Sequence, residues 1–313
     1  MKLLITGGTG YLGGRLAQFF DHETNYHLFL GTREVSEDIT PNERIKFVET
    51  CWASQAQLSE ICEGIDAVIH LAGMNAGDCA KATQNQLEED VKQTRRLLSA
   101  AIDKGVKRFI YLSTAHVYSS NLEGTIDENT PTLNEHPYAT NHIAKENLVR
   151  KAHENGDIEG VVIRLSNAFG APVSEKVNCW MLLINDLCRQ ATISSEMVLK
   201  STGQQRRDFI AITDVCIAIQ HLLEISRDLI GDGLFNLGGR FSPTVLEITK
   251  NIANKFYECS GNKPEIIYAK VDDKKTTELN FQIKKILDSG YLPSNKIDTE
   301  IYELISFCRS YMK

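Results

Sequence analysis

Three features of this 313-residue sequence predict an α/β fold built on a doubly wound parallel sheet. Short apolar runs alternate with helical patterns through the first half of the chain. The first run, Lys2 to Thr6, passes straight into a glycine-rich turn and then a helical pattern. Later runs end in small or hydroxylated residues, Ala72-Gly73 and Ser113-Thr114, at what would be the carboxyl ends of strands.

Strands are expected at 2–6, 27–31, 45–49, 66–71, 107–113 and 159–165, and helices at 12–21, 54–63, 78–103 and 138–155. Such alternation places helices on both faces of the sheet. Beyond about residue 166 the pattern loosens. There, 207–210 reads as a strand, 213–225 as a helix, 234–237 as a strand, 243–258 as a helix, 264–269 as a strand and 298–311 as a closing helix. The expected division is a dinucleotide-binding domain, 1–165, and a smaller C-terminal α/β portion, 166–313. No linker rich in Pro, Gly or Ser separates them, so they should be interleaved and packed together.

The net charge of −7, with no basic run, argues against nucleic acid or an anionic membrane as partner. The opening strand breaks into glycines too soon for a signal peptide, and no apolar run is long enough to span a bilayer. A cytoplasmic protein is expected. The eight cysteines show no C-x-x-C pair and no accompanying histidine cluster, so they read as reduced thiols and no metal site is expected.

The glycine-rich turn carries Gly7, Gly10 and Gly13 in G-x-x-G-x-x-G spacing, with Thr9, Tyr11 and Leu12 between them. The first glycine allows a sharp exit from the strand. The second lets backbone approach a pyrophosphate, and the third lets helix and strand pack closely. A helix N-terminus beyond them offers free N–H groups to phosphate. Together these predict a dinucleotide cofactor. The second strand ends Leu30-Gly31-Thr32-Arg33-Glu34. An Arg at this distance suits a 2′-phosphate, which favours NADP (NADPH) over NAD. The alternative is Glu34 as the ribose ligand, with Arg33 merely solvated.

The fourth strand ends His70-Leu71-Ala72-Gly73, where small side chains leave a ligand room to cross the sheet; His70 itself reads as a core histidine. Ser113 and Thr114 close the fifth strand. The next helix opens His136-Pro137-Tyr138, with Pro137 suited to a first turn, and Tyr138 and His142 share a face at i,i+4.

With these residues placed, the chain resembles the extended short-chain dehydrogenase/reductase family, in its nucleotide-sugar epimerase, dehydratase and reductase branch. Besides the glycine motif, the resemblance rests on His70-Leu71-Ala72-Gly73, Ser113-Thr114-Ala115-His116-Val117-Tyr118 and Pro137-Tyr138. It continues through Arg164-Leu165-Ser166-Asn167-Ala168-Phe169-Gly170, Arg207-Asp208-Phe209-Ile210 and Asn236-Leu237-Gly238. It implies a Rossmann fold, Tyr138 as acid/base on the sugar, and Thr114 sharing its proton network. It implies Leu71, Ala72 and Gly73 beside the cofactor, Asn167 and Arg207 on the nucleotide diphosphate, and a nucleotide-sugar substrate. It also implies a homodimer through the helices at 78–103 and 138–155, which carry Leu87, Val91, Leu97, Leu98, Ile143 and Leu148. An ion pair with Asp208 is the structural alternative for Arg207.

The family's motif is Tyr-x-x-x-Lys, and here His142 stands in the lysine's place. Lysine lowers the tyrosine pKa and hydrogen-bonds the nicotinamide ribose; neutral histidine does only the second. Lys145 lies seven residues past Tyr138, a spacing that puts it outside the usual role. Asn141 replaces a common serine, and Asp90 stands where asparagine is frequent. Three readings follow: an NADPH-dependent reductase of a nucleotide-linked keto-deoxysugar, an NAD(P)-dependent nucleotide-sugar epimerase, or a non-catalytic NADP-binding sensor or scaffold. Oxidation needs an ionised Tyr138, whereas reduction uses the protonated phenol, so the missing lysine favours the reductase. Ala115-His116 after Thr114, in place of Asp-Glu, argues against a dehydratase.

Overall fold

The computed structural model describes residues 1–33, 42–268 and 277–312. Its first half runs β1 (Lys2–Thr6), α1 (Tyr11–Glu23), β2 (His27–Thr32), β3 (Ile45–Glu49), α2 (Gln55–Ile61), β4 (Ala67–His70), α3 (Ala76–Lys81) and α4 (Gln84–Asp103). Then come β5 (Arg108–Thr114), β6 (Gly124–Ile126), α5 (Pro137–Glu154) and β7 (Glu159–Leu165). The remainder holds β8 (Asn167–Phe169), α6 (Leu183–Ser194), β9 (Glu196–Val198), β10 (Phe209–Ala211), α7 (Ile212–Glu224), α8 (Arg227–Ile230) and β11 (Leu234–Leu237). It ends with α9 (Val245–Ser260), β12 (Glu265–Ile267), β13 (Leu279–Phe281), α10 (Lys284–Asp288) and α11 (Ile297–Tyr311).

Seven strands form one parallel sheet in the order β11-β7-β5-β4-β1-β2-β3. Its central strands are mostly apolar in their middles because both faces are covered. Leu3 and Ile5 of β1 meet Leu16 and Phe20 of α1 on one face. Leu4 points the other way, toward Val68, Leu97 and Phe109, as the two-residue period of a strand requires. Each such buried side chain stabilises by about 1.5–3 kcal/mol. Succession reverses at β1, which has β2 on one side and β4 on the other. In such sheets the ligand crevice lies above the carboxyl ends of the strands at this switch point.

The single helix expected over 78–103 is two helices. Thr83 ends the run by capping α4: its hydroxyl accepts from Gln86 N, and the Gln86 side chain accepts from Thr83 N at 2.8 Å. This capping box resets the helix axis and frees α3 to pack on α5. Helix α6, which sequence periodicity did not reveal, packs with α9 and α11 around Phe169, Leu187, Ile248, Ile252 and Leu304. Strand β11, from the C-terminal span, pairs with β7 at the edge of the main sheet. The glycine-loop helix reaches the same span. Tyr11 donates to Gly170 O at 2.9 Å, and Arg15 donates to Ala171 O at 3.0 Å and lies 3.2 Å from Glu300. Among the described residues no helix is long and apolar enough to cross a membrane, and no His/Cys/Asp/Glu cluster could hold a metal.

Candidate active site at the switch point

The glycine loop opens above β1. Gly7 has φ of 68°, a left-handed conformation that strains other residues, and a Cβ there would come within 3.2 Å of Ala72 N. At Gly13 a Cβ would lie 2.2 Å from Gly7 O, so helix and loop could not close. Gly10 differs: it is exposed, and among the described residues a Cβ there would meet Gly7 O alone, at 3.2 Å. As N-cap of α1 it supplies no side-chain acceptor to the first turn. Uncapped N–H groups, the positive end of a helix and an open approach fit a pyrophosphate.

Thr9 and Thr32 hydroxyls, 3.2 Å apart, tie this loop to the end of β2. Tyr11 spends its phenol on Gly170, and Leu12 packs against the core, so both offer the site backbone alone. Gly31 has a packing reason of its own, since a Cβ would press to 2.8 Å from the Thr50 methyl. Arg33 follows β2 and is exposed; Glu34 lies outside the described residues.

At the end of β4, Leu71 and Ala72 are half-buried and Gly73 is exposed. His70 is buried, with Nδ1 2.7 Å from Thr6 Oγ1 and Nε2 2.9 Å from Thr94 Oγ1. Burial, then the nearby Lys145 charge, pushes it down to about 3. It is the satisfied core histidine that the sequence suggests.

Helix α5 carries Tyr138 and His142 to the end of the sheet. Pro137 occupies its first turn, and the His136 side chain accepts from Tyr138 N at 3.2 Å. Thr114 Oγ1 accepts from His116 N at 3.2 Å, which leaves its O–H to face the Tyr138 phenol. Burial raises the Tyr138 pKa, and Thr114 works against that rise. The Tyr138 and His142 rings meet edge-on with centroids 4.5 Å apart. His142 Nδ1 is 2.7 Å from the Tyr111 hydroxyl. Burial, then Lys145, pushes His142 down to about 3, so the ring is neutral at physiological pH and supplies no cation to Tyr138.

As its spacing implies, Lys145 sits two turns along α5 from Tyr138, on the same helix face. Positions seven apart share a helix face, and side chains lean toward the N-terminus. Lys145 is buried and paired with Asp90 of α4, and a Cβ on Gly73 would lie 3.2 Å from its Nζ. Asn141 donates to Leu87 O at 3.0 Å and ties α5 to α4. One position further, Glu146 forms a buried pair with Arg164 at 2.7 Å and accepts from Ser113 at 2.5 Å. Tyr111 and Glu146 escaped sequence reasoning, and Asp90 was noted there only as standing in for asparagine. The signal for Lys145 and Glu146 was their spacing of seven and eight from Tyr138, on the face that must meet the sheet.

Arg207 is exposed and has no carboxylate partner among the described residues. The ion pair with Asp208 does not form: Asp208 is buried and accepts from Gly239 N at 3.0 Å and Ser242 Oγ at 3.4 Å. Burial raises it to about 6. The Arg207 charge is felt at His116, in the turn after Thr114, whose pKa is lowered by burial and then by Arg207. Asn167 is half-buried, and its amide donates to Asp208 O at 2.8 Å across the β8–β10 pair.

The sequence matches one family model over residues 3–238, that of the NAD dependent epimerase/dehydratase family. The chain belongs to that family. It is 27% identical over 307 residues to dTDP-D-glucose 4,6-dehydratase of Bos taurus, covering 93% of this chain and 84% of that protein. It is 24% identical over 282 residues to an uncharacterised UDP-glucose epimerase of Bacillus subtilis, covering 86% and 85%. Among solved structures, UDP-glucuronic acid 4-epimerase from Bacillus cereus in complex with NAD aligns over 100% of both chains, with TM-score 0.81 and 22% identity. UDP-glucose 4-epimerase from Thermotoga maritima with UDP-glucose aligns equally fully, with TM-score 0.83 and 18% identity. These two likenesses establish the Rossmann fold of this epimerase/dehydratase family member.

Proposed function

We propose that this protein is an NADPH-dependent reductase of a nucleotide-linked keto-deoxysugar. The observation that carries the reading is the half-buried, protonated Tyr138 facing Thr114, with a neutral His142 where the family's motif has lysine. When bound, the reduced nicotinamide would supply hydride to the carbonyl carbon. Tyr138 gives its proton to the carbonyl oxygen, Thr114 orients that phenol, and solvent returns the proton. The reverse direction demands a phenolate: lowering a pKa from about 10 to about 7 is worth roughly 4 kcal/mol, and among the described residues no cation lowers the Tyr138 pKa. Ala115 and His116 follow Thr114, so the two positions at which a dehydratase would carry acids hold none.

Arg33, exposed just past β2, is read as the partner of a 2′-phosphate. Arg207, with Asn167, is read as the diphosphate contact, which assigns the nucleotide-sugar portion to 166–313 as a unit interleaved with the 1–165 domain. The test is consumption of NADPH by purified protein offered UDP- and dTDP-linked 4-keto sugars. One equivalent of NADPH oxidised per sugar reduced supports the reading. The epimerase reading rests on the similarity to named UDP-sugar epimerases; it requires interconversion of sugar epimers with no net loss of cofactor.

A further inference from the structure

We propose that Lys145, anchored by Asp90, is the fixed cation of the cofactor pocket: it stands one helical turn beyond the position His142 occupies and donates to the nicotinamide-side ribose at Gly73. The inference rests on the reading of this site as a nicotinamide-dinucleotide site.

Two independent observations point to a ligand there. The ammonium is nearly fully buried, yet Asp90 is its one hydrogen-bond acceptor among the described residues. An ammonium carries three donors, and leaving donors unmatched away from water is costly. Second, the open side of Gly73 looks at this ammonium: a Cβ would sit 3.2 Å from Nζ, so the missing side chain leaves a passage between the end of β4 and the buried charge. A ribose hydroxyl accepting from Nζ would satisfy a donor that the protein leaves free.

The two duties joined in one lysine elsewhere are thereby divided. Lys145 does not act on the Tyr138 phenol, whose pKa is raised by burial, lowered by the Thr114 hydrogen bond and raised by Cys79. Its field falls on His142 and His70, whose protonation it opposes. It therefore acts as a positioning residue for the cofactor and keeps His142 a neutral hydrogen-bonding group. The ionisable groups around it are Asp90 from α4, Cys79 from α3, His70 from β4, and His142 from its own helix.

The test compares binding of NADPH with binding of 2′,5′-ADP, which lacks the nicotinamide-side ribose. Lys145→Gln/Asp90→Asn replaces the ion pair with an amide pair and leaves no buried charge unpaired. The expected result is NADPH binding weakened about 10-fold or more, the loss of one charge-assisted hydrogen bond, with 2′,5′-ADP unchanged. Equal affinity of native and variant protein for NADPH overturns the proposal, as does equal loss for both ligands. Asp90→Asn alone is the second arm, and it serves if the double variant does not fold. There the unpaired ammonium should lose its proton more readily, so NADPH affinity should begin to fall with rising pH at a lower pH than in native protein. Coincident profiles count against the proposal. A native protein that binds NADPH but reduces no keto-sugar sinks the reductase reading and leaves this inference standing. A native protein that binds no nicotinamide dinucleotide sinks both.

Discussion

Replacing His142 by lysine restores the family's motif and tests why this chain departs from it. The His142 ring lies 4.5 Å from the Tyr138 ring, so an ammonium there would stand roughly 5 Å from the phenolic group. At an effective dielectric of about 20, a cation at that distance favours the phenolate by ~3 kcal/mol. That corresponds to a pKa lower by about 2 units. It recovers part of what oxidation of a sugar alcohol near neutral pH requires, which exceeds the roughly 4 kcal/mol for an unperturbed phenol because burial raises Tyr138. The neighbouring Lys145 would repel the new charge, but Asp90 already compensates it. The structure therefore predicts that His142→Lys raises the oxidative rate about 10- to 100-fold and leaves the reductive rate within a few-fold, with some loss of stability. The assay is the pair of initial rates, forward and reverse, at saturating cofactor. An oxidative rate that is unchanged or lower in a folded variant refutes the assignment of His142 as a neutral group standing in for a charged one.

On the reductase reading, Tyr138→Phe should abolish turnover and leave NADPH binding within about two-fold by fluorescence titration, because the phenol acts on the substrate rather than on the dinucleotide's phosphates. Arg33→Ala should remove most of any preference for NADPH over NADH; equal dissociation constants for the two in native protein would show that Arg33 is simply solvated. Asp208 has a folded pKa of about 6 against 3.8 in its ordinary state, so the folded protein holds that proton more tightly. Its contribution is complete below the lower value and lost as pH rises through the upper one. Stability should thus decline by about 3 kcal/mol across that window, and Asp208→Asn should flatten the decline in denaturant titrations. Leu87, Val91, Ile143 and Leu148 are only half-buried in one chain. If α4 and α5 pair two copies, sedimentation should give twice the 35.1 kDa chain mass; a monomeric mass removes that assembly.

The parts of this protein decided by local chemistry could be read from the chain alone. The glycine turn, the alternating strands and helices, and Tyr138 one turn from His142 each depend on residues within a few positions of one another. Periodicity and backbone freedom fix those without knowledge of the fold. The capping box at Thr83 was equally local, and it divides a stretch that apolar spacing alone reads as continuous. What decides the chemistry is not local. Lys145 meets Asp90 across 55 residues, His142 meets Tyr111 across 31, and His70 meets Thr6 across 64. Burial at those meeting points fixes which groups carry charge: it leaves His142 neutral and sets an ammonium beside Gly73. Helical spacing places a side chain on a face, whereas its protonation depends on the dielectric and partners that distant segments bring. Only the packed sheet and its two helices supply those.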